Sequence, residues 1–324
     1  MNSKHVLTLG DVNVDMVIRL PERIPGKMPQ LTPPTLFGGG SVGNVAVALA
    51  RLGVPVAFVG TVGDDGFGRF AREDLASEGV DVTYLRPVDA FTTTVFALIE
   101  PDGERLVTAW PPENAAHTFL RPQDVEAVDF SRAAWLHTSG MVMRASPVRE
   151  AALHAMALAR RAGVPVSLDL NLRLELWGWG DDIRATITRA VALADVVFGS
   201  AAEEIAPLAE VDDHEAAARA LAEGTRTVIA RLGAGGALVV TPQGEAAHVA
   251  GFPTPVVDTL GAGDAFNGGF IAARLAGQDV FAAARWGNAT AAWKIAHHGA
   301  RGLPERQDVA RVVVAGRVEA TSAP

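Results

Sequence analysis

The residue types best suited to chemistry lie in one short stretch, 258–264, where Asp258 and Asp264 enclose two glycines. Apolar residues at helical spacing follow over 266–275, so the stretch is predicted to be a glycine turn that opens a helix. Successive backbone amides in such a turn can point into one concavity. Unpaired amides at a helix N-terminus also favour an anion. We therefore expect a phosphate group to bind at these glycines.

Asp264 then requires an explanation, because a carboxylate beside a bound phosphate is electrostatically unfavourable. A carboxylate at this position would have a catalytic role if it accepted a proton from the hydroxyl that attacks the phosphate. The alternative is that Asp264 only caps the helix, as aspartate often does. The stretch alone leaves both interpretations open.

Polar side chains also follow the first predicted strand. Residues 6–10 form a short apolar run typical of a buried strand, and Asn13 and Asp15 come shortly afterwards. Ligands of open α/β sheets gather beyond the carboxyl ends of the strands. Asn13 and Asp15 are therefore placed to contact a ligand, although residues at a strand end can also simply form a turn.

A second such position follows the predicted strand 164–170. Asp169, Asn171 and Arg173 alternate along the chain there, and the planar fork of Arg173 could bind a phosphate or a carboxylate. An ion pair between Asp169 and Arg173 at the strand end is the competing interpretation.

A glycine-rich stretch, 38–44, precedes a predicted helix over 45–53. Its glycine spacing fits a dinucleotide-binding fingerprint, with Asp64 at the appropriate distance. It also contains Gly-x-Ser-x-Gly, the pattern of a nucleophile elbow centred on Ser41. Both motifs need a buried strand immediately before them, and the proline-rich residues that precede this stretch do not favour one.

Strands and helices alternate from residue 134 onward, which predicts a parallel sheet covered by helices on both faces and therefore an α/β fold. Two segments do not fit this alternation. Residues 16–36 contain too many prolines for a helix or a central strand, and 92–110 is predicted to be a β-hairpin. We expect both to leave the main sheet.

Composition limits the function classes. The chain of 324 residues has a formal charge of −9, which argues against non-specific nucleic-acid binding, and no cysteine, which excludes disulfides. No apolar run approaches the length of a membrane span, and the N-terminus has no signal-peptide pattern. A cytoplasmic protein is expected.

The motif Asp258-Thr259-x-Gly261-Ala262-Gly263-Asp264 resembles the C-terminal signature of the ribokinase-like, or PfkB-type, carbohydrate kinases. Residues 38–44 resemble the N-terminal Gly-Gly…Asn motif of the same family, and the resemblance extends over about 6–302. It implies a three-layer α/β/α fold with a mostly parallel sheet. The whole chain, 1–324, would be one kinase domain into which two segments, about 16–36 and 91–112, insert as a small β-sheet lid.

The resemblance also implies roles for individual residues. Asp264 would be the base, and the amides of Gly261, Ala262 and Gly263 would bind the transferred phosphoryl group. The remaining roles are substrate binding by Asn13, Asp15, Gly39, Gly40, Asn44, Asp169, Asn171 and Arg173; ATP binding by Ser200, Gly233, Gly236, Thr259 and Asn288; Mg²⁺ binding, through water, by Glu203; and monovalent-cation (K⁺) binding by Asp258 and Leu260, next to the loop 299–302.

The implied reaction is transfer of the γ-phosphoryl group of Mg-ATP to a primary hydroxyl of a small sugar. Kinases for 2-keto-3-deoxygluconate usually place an aromatic-Arg pair at the end of the second lid strand, whereas this chain has Trp110-Pro111. A fructose- or ribose-like sugar is therefore favoured over a sugar acid. A nucleoside acceptor, with Phe91 or Trp110 stacking on the base, and a non-catalytic sugar or nucleotide sensor are the alternatives. A homodimer formed through the lid is also expected.

Overall fold

The computed structural model describes residues 4–22, 33–102, 104–174 and 178–318. Part of the predicted lid segment 16–36, residues 23–32, lies outside the described residues. The strands are β1 His5–Leu9, β2 Asn13–Arg19, β3 Thr35–Gly39, β4 Val56–Gly63, β5 Asp81–Val88, β6 Thr94–Ile99, β7 Arg105–Trp110, β8 Ala133–Ser139, β9 Val166–Asp169, β10 Val196–Ser200, β11 Thr227–Arg231, β12 Gly236–Val240 and β13 Ala246–Ala250. The helices are α1 Ser41–Arg51, α2 Gly66–Ser77, α3 Pro122–Glu126, α4 Val148–Arg161, α5 Asp181–Leu193, α6 Ala206–Ala209, α7 His214–Ala222, α8 Ala262–Leu275, α9 Val280–Ile295 and α10 Arg306–Ala315.

Nine strands form the main sheet, in the order β13-β12-β11-β10-β9-β8-β1-β4-β5. In this order, the seven strands β11, β10, β9, β8, β1, β4 and β5 run parallel to one another. Strands β12 and β13 add an antiparallel edge next to β11. This arrangement confirms the predicted α/β class and mostly parallel sheet. It also places the carboxyl ends of the parallel strands along one edge, where polar side chains can converge.

The two faces of the sheet bury separate apolar clusters, which gives the three layers. Successive residues of a strand point to opposite faces. In β1, Val6 accordingly belongs to the cluster beneath α1, α8 and α9, whereas Leu7 belongs to the cluster beneath α4 and α5. The long stretches of Val, Leu and Ala in these strands are explained by burial on both sides.

A second, smaller sheet has the order β3-β2-β6-β7. The predicted hairpin is confirmed, since β6 and β7 pair antiparallel with Thr94 opposite Trp110. Strand β2 pairs with β3 on one side and with β6 on the other. The first residues of β2 and the last residues of β3 therefore lie together, where the small sheet meets the main one.

Candidate active site

Helices α1 and α8 bring the two glycine motifs into contact. A side chain at position 268 would place its Cβ only 2.6 Å from Ala48 Cβ, so the helices approach closely because Gly268 has no side chain. Phe198 of β10 holds α8 from the sheet side, with its ring centroid 5.3 Å from that of Phe270. The N-terminal turns of both helices consequently lie together.

Asp264 is held at this meeting point by two side chains of α1. Its carboxylate accepts hydrogen bonds from Ser41 Oγ at 2.7 Å and from Asn44 Nδ2 at 2.8 Å. Burial raises the pKa of the Asp264 carboxyl to about 6, while the two hydrogen bonds lower it and the charges of Asp169 and Asp11 raise it further. Asp264 is therefore positioned from a neighbouring helix and has a pKa suited to accepting a proton near neutral pH.

The predicted glycine turn is present where α8 begins. Gly261 is the N-cap residue and has φ 78°, a left-handed conformation that glycine adopts without strain. A Cβ at position 263 would lie 2.8 Å from Arg231 Nη1. The turn therefore lies at a helix N-terminus, which is a favourable environment for an anion, and the guanidinium next to it is already paired with Asp169 and Glu204.

The N-terminus of α1 is occupied by a side chain of the protein. The Asp11 carboxylate accepts hydrogen bonds from the amides of Ser41 at 2.7 Å and Val42 at 3.4 Å. A dinucleotide pyrophosphate would need this position, so the geometry argues against the fingerprint interpretation. Ser41 donates to Asp264 and not to a histidine, which argues equally against a nucleophile elbow.

Asp169 belongs to a buried network centred on Arg231. The Arg231 guanidinium binds both carboxylate oxygens of Asp169, at 2.7 and 3.1 Å, and lies 3.5 Å from Glu204. Asn267 donates to Asp169 at 2.7 Å and accepts from Arg231 at 3.2 Å. Burial lowers the pKa of Arg231, but the charges of Asp169 and Glu204 outweigh it and raise this pKa overall.

This network changes the interpretation of Asp169. Both its oxygens are bound by protein groups and its exposure is 2%, and substrate binding by Asp169 stays a prediction. The alternative interpretation, an ion pair with Arg173, is not what the structure shows, because Asp169 pairs with Arg231. Asn171 donates to Ser139 Oγ at 3.3 Å and has φ 38°, while Arg173 is exposed. Substrate binding by these two residues stays a prediction.

The predicted substrate residues of the small sheet lie together. Asn13 Nδ2 donates to Asp15 Oδ1 at 2.5 Å, and burial raises the pKa of Asp15. A Cβ at position 39 would come within 2.6 Å of Asn13 Nδ2 and 2.7 Å of Asp15 Oδ1. Gly40 continues the chain from there with φ 92° into α1. The stretch from Gly39 to Asn44 therefore connects the polar groups of β2 to Asp264.

Arg301 holds this connecting stretch in place. Its guanidinium donates to the carbonyl oxygens of Gly38 at 3.1 Å and Gly43 at 2.8 Å and pairs with Asp74 at 3.1 Å. Burial lowers the pKa of Arg301, while the charge of Asp74 raises it. Arg301 thus fixes the conformation of the stretch 38–43, and its positive charge is paired with Asp74.

The residues predicted to meet the nucleotide lie along the ends of β10 to β13. Ser200 accepts from the amide of Glu203 at 3.4 Å, which confirms a local cap, and Glu203 is exposed. The buried neighbour Glu204 accepts from the amides of Ser200 and Leu172 at 2.5 and 2.6 Å, and burial raises its pKa to about 7. Glu204 therefore organises this turn and leaves Glu203 available to solvent.

Two further predicted nucleotide contacts lie between β11 and β12, where Gly233 begins a short helical turn, Gly233–Gly235, and Gly236 ends it. Asn288, on α9, donates to the carbonyl oxygens of Val249 and Ala250 at 2.9 and 3.1 Å. It ties α9 to the end of β13. Thr259 is exposed, and ATP contacts by all four residues stay predictions.

The sequence pattern missed several residues of the site. Arg231 is the last residue of β11 and Asp11 lies just beyond β1, the same signal that selected Asp169, and Asn267 lies about one helical turn after Asp264. No local pattern distinguishes Ser41 as a partner of Asp264, because the contact joins positions 223 residues apart.

The fold and the site together are those of an enzyme that transfers a phosphoryl group. A family model described as the pfkB family carbohydrate kinase matches residues 3–306. An aminoimidazole riboside kinase of Salmonella typhimurium is 39% identical over 272 residues, 82% of this chain and 79% of that protein. A fructokinase of Klebsiella pneumoniae is 38% identical over 84% of each chain. The solved structure of a fructokinase from Xylella fastidiosa with bound ATP has a TM-score of 0.84 at 29% identity, covering 97% of this chain and 99% of that one.

The chain therefore belongs to the PfkB family of carbohydrate kinases, as its two glycine motifs predicted. It is an ATP-dependent phosphotransferase with a sugar hydroxyl as acceptor, and a divalent metal accompanies ATP in this chemistry. Among the helices of the described ranges, none combines the length and apolar character needed to cross a bilayer.

Proposed function

We propose that this kinase transfers the γ-phosphoryl group of Mg-ATP to a primary hydroxyl of a neutral, fructose- or ribose-like sugar. The observation that carries the proposal is the position of Asp264, held by Ser41 and Asn44 beside the anion-binding turn of α8. In a kinase a base at that position has a specific use. It can take the proton of a sugar hydroxyl that points toward the phosphoryl group.

In the proposed step the hydroxyl oxygen forms a bond to the γ-phosphorus as the bond from that phosphorus to the bridging oxygen of ADP breaks. The hydroxyl proton goes to an oxygen of Asp264. The amides of Gly261, Ala262 and Gly263 stabilise the negative charge of the transferred group, and the Ala262 amide, which donates to the carbonyl oxygen of Thr259 at 3.2 Å, would turn to a phosphoryl oxygen. Because phosphoryl transfer has a loose transition state, most of the rate enhancement should come from this positioning and charge stabilisation.

We assign Mg²⁺ as the divalent metal, and when bound it neutralises charge on the β- and γ-phosphates. Magnesium keeps several waters and needs only one or two carboxylates in addition to phosphate oxygens. The exposed carboxylate of Glu203, at the end of β10, fits that requirement. Its neighbour Glu204 is unsuited, because amides and Arg231 already bind it.

A neutral sugar is favoured because two arginines of the site are already bound to protein oxygen atoms. A buried carboxylate on the substrate would need a cation, but Arg301 and Arg231 are already fully engaged by protein oxygens. Asn13, Asp15 and Asn44 offer instead the amides and carboxylate that hydroxyl groups bind. Of the predicted substrate residues in the described ranges, Arg173 is an exposed cation that a sugar acid could use.

A nucleoside acceptor is the second candidate, because an aromatic pair lies on the described edge of the small sheet. The rings of Phe91 and Trp110 have centroids 4.6 Å apart, and Phe91 is 56% exposed. An exposed aromatic face can stack on a base. The relationship to an aminoimidazole riboside kinase supports including a riboside in any test.

We also propose that the chain acts as one kinase domain, 1–324, in which the segments about 16–36 and 91–112 form a lid over the sugar. Leu106 and Val107 of β7 are 61% and 60% exposed, and a small sheet is only marginally stable alone. We therefore propose that two copies pair through this sheet as a homodimer. A cytoplasmic location is proposed from the absence of cysteine.

The test of the proposed function is ADP release from Mg-ATP with a panel of acceptors. The panel contains fructose, ribose, tagatose, 2-keto-3-deoxygluconate and ribosides, and each product is identified by mass. We expect one neutral sugar to give an Asp264-dependent monophosphate. A sugar acid as the single strong acceptor would overturn the choice of substrate, and ATP binding without phosphorylation of any acceptor would favour the sensor.

A further inference from the structure

A buried lysine lies directly behind the anion-binding turn. Lys294, near the end of α9, is one of only three lysines in the chain, and its exposure is 0%. Its ammonium donates hydrogen bonds to the carbonyl oxygens of Asp258 at 2.8 Å and His297 at 3.5 Å. Burying an ammonium group is costly, so a position that retains one is expected to use its charge.

The two carbonyl groups belong to loops that support the glycine turn. Asp258 accepts from the amide of Gly299 at 2.9 Å, and its own amide donates to the carbonyl of Ile295 at 3.1 Å. Gly261 rests on the second loop, since a Cβ at that position would lie 3.3 Å from Ala300 Cβ. The loops form one unit, and Lys294 fastens it from inside.

Converging carbonyl oxygens are also the donor set that a potassium ion takes. The family resemblance assigned a monovalent cation to this place, with Asp258 and Leu260 as ligands. The carbonyl oxygen of Asp258 is, however, already bound to the Lys294 ammonium. A potassium ion on the same oxygen would place two like charges within a few ångströms of each other, so the carbonyl oxygen of Asp258 does not fit the ion.

We propose that the Lys294 ammonium is a built-in replacement for the monovalent cation, so that phosphoryl transfer by this chain does not depend on K⁺. An ammonium supplies one positive charge and three donors, which satisfy carbonyl groups as a bound ion would. Because it is covalently attached, it holds the loops of Asp258 and His297 in place whatever the salt. The proposal rests on the proposed kinase function and deepens it.

The charges nearby are consistent with this role. The negatively charged side chains of Asp258 and Asp264 lie near enough to Lys294 to act on it electrostatically. An ammonium at this position balances charge on the same side of the turn as the proposed base.

The experiment compares phosphorylation of the best acceptor, and the melting temperature, in potassium chloride and in choline chloride at equal ionic strength. For the wild type we expect the same kcat/KM and the same melting temperature in both salts. Lys294→Met, which keeps the length and loses the charge, should lower kcat/KM at least about tenfold in choline. Potassium should restore part of that loss and raise the variant's melting temperature. Lys4→Met removes an exposed lysine and is the matched control, with wild-type behaviour in both salts.

A wild type whose activity or melting temperature rises with potassium would overturn the proposal, and so would a Lys294→Met variant that is fully active in choline. If Lys294→Met does not fold, the wild-type comparison alone decides. The melting temperatures also separate the two claims. A chain that phosphorylates no acceptor would refute the kinase function, whereas potassium-dependent stability would refute the role of Lys294.

Discussion

Replacing Ser41 by alanine tests how the proposed base is tuned. The Ser41 hydroxyl donates to Asp264 at 2.7 Å, and this hydrogen bond favours the ionised carboxylate. Without it the carboxylate loses one of its two side-chain donors, while its burial is unchanged. The pKa of Asp264 must therefore rise above about 6.

A hydrogen bond to a charged group contributes about 1.5–3 kcal/mol. Each pKa unit corresponds to ~1.4 kcal/mol, and water entering the vacated space should restore part of the loss. We therefore expect a shift of about one unit, from about 6 to about 7. If only the ionised form is active, kcat/KM should fall about fivefold at about pH 6 and recover fully at about pH 9.

The assay is the pH dependence of kcat/KM, which reports the pKa of the free enzyme. Ser41→Thr keeps the hydroxyl and should retain the wild-type profile. Ser131→Ala removes a similar hydrogen bond, from Ser131 to Asp129 at 2.6 Å on the exposed surface, and should change nothing. An unshifted acidic limb in Ser41→Ala would refute the reasoning, and a uniform loss at every pH would show that Ser41 acts on binding instead.

Three further predictions concern stability and assembly. Burial raises the folded-state pKa of Asp264 to about 6 from 3.8, so its ionisation destabilises the protein as pH rises through that window, by up to about 3 kcal/mol. Asp264→Asn should therefore gain melting temperature relative to wild type between about pH 4 and about pH 6 and gain no more above about pH 7, and a constant difference would contradict this. Arg231→Met should lower the free energy of unfolding, measured with denaturant, by about 3–5 kcal/mol because it leaves buried carboxylates unpaired. The control Arg219→Met, which removes the exposed ion pair with Glu215, should change that free energy by no more than about 0.5 kcal/mol. Equal effects of the two substitutions would argue against the network. Leu106→Asp should convert a dimer to a monomer in light scattering, while Val314→Asp, at an 88% exposed position on α10, should not; a Leu106→Asp dimer would refute pairing through the small sheet.

Local patterns predicted the elements of this fold well, because strands buried on both faces and helices with apolar stripes have different periods. The start of α1 was predicted at Val45, four residues late, because the glycines before it are poor helix formers. The helix begins at Ser41, whose amide donates to the Asp11 carboxylate, a contact that the local sequence does not show. The antiparallel edge formed by β12 and β13 was not predicted.

For the site as well, sequence patterns found what lies in one contiguous segment and missed contacts between distant segments. Asp264 and its glycine turn were found because they form one contiguous motif. The sequence offered only Arg173 as an alternative ion-pair partner for Asp169, because the two are near each other along the chain. The observed partner, Arg231, meets Asp169 only through the pairing of β9 with β10 and β10 with β11. Lys294 lies on a helix whose pattern is typical of packing, and nothing local shows that its ammonium reaches Asp258.

The most direct test of the account is single-turnover phosphoryl transfer by Asp264→Asn with saturating Mg-ATP and the best acceptor. Asp182→Asn, at a side chain that is 79% exposed, is the control for the same chemical change. We predict that Asp264→Asn folds, binds ATP as the wild type does, and transfers the phosphoryl group at least about 10²-fold more slowly. Transfer at a near-normal rate would contradict the assignment of Asp264 as the base.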